Sequence, residues 1–173
     1  MALQDRLAGI SQRVLKTLFT ERRRLQLRRL FYTYYPAYFG TGVRVEHVAP
    51  DHREIRISLP LNWRTRNVHG TLFGGSIYGA VDPIYGIMLM ERLEEGYEAW
   101  VKSATVEFHE PGRSTLYATV RLDDEELRSI ENALQEQSSI DRTKTIEFAD
   151  YEGTVHATIE ETFHIRRTDD RGT

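Results

Sequence analysis

Apolar positions recur with two periods along the chain. Leu3, Leu7, Ile10, Val14, Leu18, Leu25 and Leu30 fall near one helical stripe, and no proline precedes Pro36, so residues 3–30 are expected to be helical. An aromatic-rich stretch follows (Phe31, Tyr32, Tyr34, Tyr35, Tyr38, Phe39) and is punctuated by Gly40-Thr41-Gly42. Residues 43–45 and 55–59 alternate with period two, which predicts two strands joined by a turn over 49–52. Residues 60–70 read as a polar loop. Residues 72–93 are apolar with a helical period and end in a charged run before Gly96. Alternation returns over 98–109, 114–122 and 154–165, and more weakly over 142–150. On the strand at 154–165, Val155, Ala157, Ile159, Phe163 and Ile165 share one face. Residues 123–137 predict a helix, with Asp123 or Asp124 as cap and Leu127, Ile130 and Leu134 as its buried stripe. The tail over 168–173 is polar.

The apolar residues of 72–93 cover most of a helical circumference, so that helix is expected to be buried nearly all round. Gly75, Gly79 and Gly86 lie roughly along one side, where a sheet could approach. The expected class is α+β: one mostly antiparallel sheet curled around one apolar helix. The chain divides into a basic helical arm (1–30), a body (31–167) and a tail (168–173).

Composition narrows the chemistry. At 173 residues the chain fits one domain with a small appendage. It has no cysteine, which excludes a disulfide scaffold, a zinc–thiolate site, an iron–sulfur cluster and a cysteine nucleophile. No apolar run approaches the ~18 residues of a membrane span. The first residues lack a signal-peptide core, so a cytoplasmic location is expected. Residues 1–30 carry net +6, leaving −9 for the rest of a chain whose total is −3. Such an arm can meet a membrane surface or nucleic acid, or pack on the acidic body. Packing is the preferred reading, nucleic acid is not expected, and peripheral membrane contact through residues 1–30 stays open. The six histidines show no metal-ligand spacing, so no metal site is expected. Phosphate-loop, dinucleotide and serine-elbow motifs have no match.

The segment over 62–86 holds the candidate chemistry. Gly74-Gly75 opens directly into the long apolar helix, where free amides and the helix dipole favour an oxyanion or a phosphate. The plain alternative is that the glycines only let the chain turn. Asp82 is an acid among apolar neighbours, a costly placement unless it is paired or functional, and burial would suit it to general-base work. Pro83 cannot supply the amide that the Gly79 carbonyl expects, so the helix should kink there. His69 is the one histidine in this segment. It either assists a substrate or bonds a backbone carbonyl.

Asn67-x-x-Gly70-Thr71-Leu72-Phe73-Gly74-Gly75 followed by Asp82 resembles the signature of hotdog-fold acyl-CoA thioesterases of the phenylacetyl-CoA type. The segment Glu107–Gly112 is similar to that family's central strand and following turn. Phe-Gly-Gly and Asp-Pro resemble an uncharacterised branch of the superfamily, a domain of unknown function. The resemblance spans about residues 31–167. It implies a hotdog fold with a curved sheet around a central helix, pairing of protomers edge to edge as a dimer or dimer of dimers, and sites between them. It implies thioester hydrolysis, with the Gly74 amide on the carbonyl, Asn67 clamping carbonyl or water, and Asp82 as base or nucleophile. Phe73 and Gly75 would line the substrate. No cofactor is implied beyond coenzyme A as part of the substrate, whose phosphates would call on Arg64, Arg66 and Arg113. Phe73 stands where the family has a motif His, and Ser103 and Thr105 are the candidates for a polar residue on the central strand. A non-catalytic acyl- or lipid-binding dimer is the alternative.

Overall fold

A computed structural model describes residues 20–168. Its elements, in chain order, are α1 (Glu21–Tyr34), α2 (Pro36–Thr41), β1 (Arg44–Val48), β2 (Glu54–Leu59), α3 (Gly74–Val81), α4 (Ile84–Arg92), β3 (Tyr97–Phe108), β4 (Leu116–Arg121), α5 (Asp124–Glu136), β5 (Ser139–Ala149) and β6 (Val155–Arg167). The six strands form one sheet in the order β1-β2-β4-β5-β6-β3. Every adjacent pair is antiparallel. The inward residues of this sheet, such as Ile57, Ala118, Phe148 and Ile159, close on Ile77, Val81, Tyr85 and Leu89 of the central helices. Each such aliphatic or aromatic side chain stabilises the fold by roughly 1.5–3 kcal/mol through its burial.

The central helix is not continuous. Pro83 has no amide for the Gly79 carbonyl, and α3 ends with Asp82 as its last cap. A new helix starts at Ile84, where the Ile87 amide donates to the Pro83 carbonyl at 2.9 Å. The expected all-round burial also fails for α4. Met90 is 49 % exposed, and Gly86 and Ile87 are half-buried, because α1 stands off from this face and leaves a groove. The three glycines do not share a sheet-facing side either. Gly79 meets the Thr41 side chain of α2, Gly75 meets the ring of Phe73, and Gly86 faces Phe163 of the sheet.

Helix α1 continues through Tyr34, so the aromatic stretch begins inside it rather than after it. Its Arg29 Nε donates to the Val45 carbonyl (3.1 Å), and the Val45 amide donates to Thr33 Oγ1 (3.0 Å). These bonds cover the outer edge of β1. The arm expected over 3–30 falls outside the described residues up to position 19, as does the tail beyond Thr168. Asp123 caps α5, accepting from the amides of Glu125 (3.0 Å) and Glu126 (2.8 Å). No helix among the described residues is long and apolar enough to cross a membrane.

Candidate functional site

The loop ahead of α3 is built around Asn67. Its Oδ1 accepts from the amides of His69 (2.9 Å) and Thr71 (3.1 Å). Its Nδ2 donates to Thr71 Oγ1 (2.9 Å) and to the Leu72 carbonyl (3.4 Å). The resemblance implies a carbonyl clamp at this position. In this conformation the side chain makes four hydrogen bonds within its own loop. Gly70, at φ +81°, makes the turn in the left-handed region that a side chain would resist. The Leu72 amide then donates to the Gly112 carbonyl (2.9 Å) and the Phe73 amide to the Thr65 carbonyl (2.8 Å). The first ties the loop to the turn after β3, and the second closes the loop on itself.

Helix α3 opens at Gly74 with no side-chain cap from Phe73. The amides of Ser76 and Ile77 reach the Phe73 carbonyl (2.9 and 3.2 Å), whereas those of Gly74 and Gly75 have no acceptor within the helix. A Cβ at Gly74 would lie 2.8 Å from the ring of Phe108, so β3 approaches this backbone closely. The ring of Phe73 occupies the space where Gly75 would carry a side chain. This end of α3 therefore offers free donors, the positive end of a short dipole and two aromatic rings.

Asp82 lies at the other end of α3. Asp82 is eight positions after Gly74, which corresponds to about 12 Å of helix rise. Asp82 is half-buried, and Tyr78 Oη donates to its Oδ1 at 3.0 Å. Burial, then the hydrogen bond to Asp82, pushes the Tyr78 hydroxyl up to about 12. Tyr38, deeply buried on α2, donates to the Ala80 carbonyl. Burial raises its hydroxyl well above the phenol range, and the charges of Asp82 and Glu161 add to that.

Glu161 is the residue that the sequence reading missed. It sits on the inward face of β6, level with Ala104 of β3 and Lys144 of β5. It is 0 % exposed, and both carboxyl oxygens lack a hydrogen-bond partner. Burial first, and then the charge of Asp82, pushes its carboxyl up to about 8. A signal was present in the sequence: period two from Ala157 to Ile165 puts position 161 on the buried face, and that place holds an acid.

Asp82 opens into a groove of about 1470 Å³ between α1, α4 and the start of β3. Its walls are mostly apolar, with Phe31, Ile87, Met90, Trp100 and Val101 prominent. Arg24 and Arg28, one turn apart on α1, add two cations that the sequence reading had not singled out. Arg64 does not reach this groove, since its guanidinium stacks 4.2 Å from the centre of the Phe39 ring. Arg66 and His69 are exposed on the Asn67 loop, and Arg113 is exposed just after Gly112. Ser103 is level with Thr162, which alternates with the buried Glu161 and Phe163, so Ser103 faces away from Asp82 within the protomer.

A six-stranded antiparallel sheet wrapped on a glycine-led central helix, with an added N-terminal helix, is the hotdog fold. The chain is similar to PA5026 of Pseudomonas aeruginosa, described as a protein of unknown function and probable thioesterase. The TM-score is 0.74 at 21 % identity, covering 82 % of this chain and 95 % of that one. It is similar to thioesterase HI1161 of Haemophilus influenzae, at TM-score 0.61 and 17 % identity over 90 % and 96 % of the two chains. It is also similar to the PaaI protein of the phenylacetic acid degradation operon of E. coli, at TM-score 0.55 and 15 % identity over 80 % and 91 %. The chain belongs to the DUF4442 family, a domain of unknown function, which it matches over residues 23–165. No curated protein matches it.

Proposed function

We propose that this protein is an acyl thioester hydrolase that acts as a dimer on a hydrophobic acyl-CoA or acyl-carrier substrate. The observation that carries the reading is Asp82, a half-buried carboxyl at a helix break that opens into an apolar groove. Asp82 takes a proton from water as the water oxygen attacks the thioester carbonyl carbon. The carbonyl electrons move onto oxygen, where the Gly74 amide and the α3 dipole hold the developing charge. Collapse of the tetrahedral adduct breaks the carbon–sulfur bond. The thiolate recovers the proton from Asp82 and leaves as free thiol.

Distance argues for two copies. A single carbonyl group cannot meet both the Gly74 amide and Asp82 across about 12 Å of one helix. The amide of one protomer therefore works with the Asp82 of its partner. Strand β3 supports this arrangement, because it is twelve residues long, pairs with β6 on one side and stands at the edge of the sheet. Phe73, Trp63 and Val68, exposed on the loop ahead of α3, suit burial against a second copy.

The acyl group occupies the groove along α4. Cations for the carrier's phosphates come from Arg24 and Arg28 at the groove and from the exposed Arg66 and Arg113. Replacing Ile87 with Trp fills the groove. We expect kcat/KM for long-chain esters to fall at least ~10-fold, while a short-chain ester keeps its rate, because a lost apolar contact is worth about 1–3 kcal/mol. Equal losses on both esters would place the acyl chain elsewhere.

A second reading, acyl binding without hydrolysis, draws on Phe73 at the motif His position and on the engaged side chain of Asn67. Thiol release from short, medium, long and aromatic acyl-CoA esters separates the two. Turnover on any of them supports the hydrolase, whereas binding without thiol release supports the second reading.

A further inference from the structure

Glu161 is buried on the inward face of β6, two residues before Phe163, whose ring packs 5.0 Å from that of Tyr85 on α4, and no donor meets either of its carboxyl oxygens. An ionised carboxylate in such a place would be uncompensated, and after burial the charge of Asp82 disfavours it further. Among the described residues, the charge of Asp82 acts on Glu161, and that of Glu161 acts on the hydroxyls of Tyr78 on α3 and Tyr38 on α2. Tyr85 of α4 packs on Phe163, two residues along β6, and gives its hydroxyl to Glu126 (2.7 Å). Lys144 is level with Glu161 on β5, but its ammonium turns to the same Glu126 carboxylate (2.7 Å). On β3 the level residue is Ala104, which offers no polar group. The cation level with Glu161 is thus engaged elsewhere.

We propose that Glu161 is the proton-holding partner of Asp82: its buried, unpartnered carboxyl keeps a proton at neutral pH, so that no second negative charge stands behind the carboxyl that acts on water. A carboxyl with no hydrogen-bond partner in an apolar setting holds its proton. Glu161 is a positioning residue and touches no substrate. Its proton keeps a second negative charge away from the oxyanion that forms during attack. This last consequence rests on the hydrolase reading; the proton on Glu161 does not.

Infrared titration of the carboxyl carbonyl stretch tests the pair without substrate. The wild-type dimer should show a protonated carboxyl at neutral pH that disappears with a midpoint of about 8. Glu161→Gln should lack it. In Asp82→Asn the midpoint should move down, because the neighbouring charge is gone. Stability follows the same group. A carboxyl raised from 4.5 to about 8 stabilises the fold at low pH, and that contribution fades as pH rises through this window. Wild-type Tm should therefore fall across the window more steeply than that of Glu161→Gln. Thiol release, normalised to each protein's own maximum, should decline with the same midpoint in wild type and lose that decline in Glu161→Gln. Absence of a protonated carboxyl at neutral pH, or a midpoint unmoved by Asp82→Asn, overturns the pair. An infrared result as expected with no thiol release from any ester upholds the pair and overturns the hydrolase reading.

Discussion

Asp82→Asn should leave a folded protein that no longer releases thiol, with kcat lowered about 10²–10⁴-fold, the span that a general base contributes. Asn is close in shape to Asp, and its carbonyl oxygen can still accept the Tyr78 hydroxyl that now bonds Asp82 Oδ1 at 3.0 Å. Helix α3 can end as before, since Pro83 rather than the carboxylate breaks it. The loss should therefore appear in kcat, with Tm and far-ultraviolet circular dichroism near wild type. A variant that keeps most of its turnover would remove Asp82 from the chemistry. A variant that unfolds would give it a structural task instead.

The second large effect belongs to Gly74. Gly74→Pro removes the amide proposed to hold the oxyanion but suits the backbone in two ways. Proline is favoured at a first helical position, and Phe73, at φ −72° and ψ 126°, already has the extended conformation that a following proline requires. The expected loss in kcat is about 10²–10³-fold, as for removal of one oxyanion-hole donor. The ring of Phe108 complicates the test, because any Cβ at position 74 meets it at 2.8 Å. Gly74→Ala supplies the control: it carries the same Cβ and keeps the N–H. Alanine should cost far less turnover than proline. Equal losses in the two variants would assign the effect to packing against Phe108 and not to the amide.

Much of this fold was legible because its strands alternate cleanly. Ile55–Leu59 and Val155–Ile165 point every second side chain at one core, and a period of two needs no tertiary knowledge to read. Asp123 was legible as a cap for the same local reason. The break at Asp82-Pro83 could be foreseen as a kink, but its extent could not, because the helix restart depends on how Ile84 and Tyr85 seat in the core. The groove was invisible. It exists because α1 stands off from α4, and that spacing is set by α1 fastening to β1 through Arg29 and Thr33. Met90 and Ile87 therefore read as core in the sequence and line a cleft in the fold. Asn67 carried a motif reading, yet its four loop hydrogen bonds are a property of the turn around Gly70. Glu161 was hidden by its neighbours. Glu160-Glu161 looks like a solvated charge pair until the alternation assigns one of them to each face of β6.

The central claim is that each site joins the Gly74 amide of one protomer to the Asp82 of the other, and mixing two dead variants tests it most directly. Asp82→Asn and Gly74→Pro are each refolded alone and together in equal amounts, and thiol release is measured. In a hybrid dimer one site receives both lesions and the other receives neither. With random pairing the mixture should recover about a quarter of wild-type turnover from parents that have almost none. A mixture that stays as inactive as its parents, with hybrid dimers demonstrably formed, would contradict a site shared between two copies.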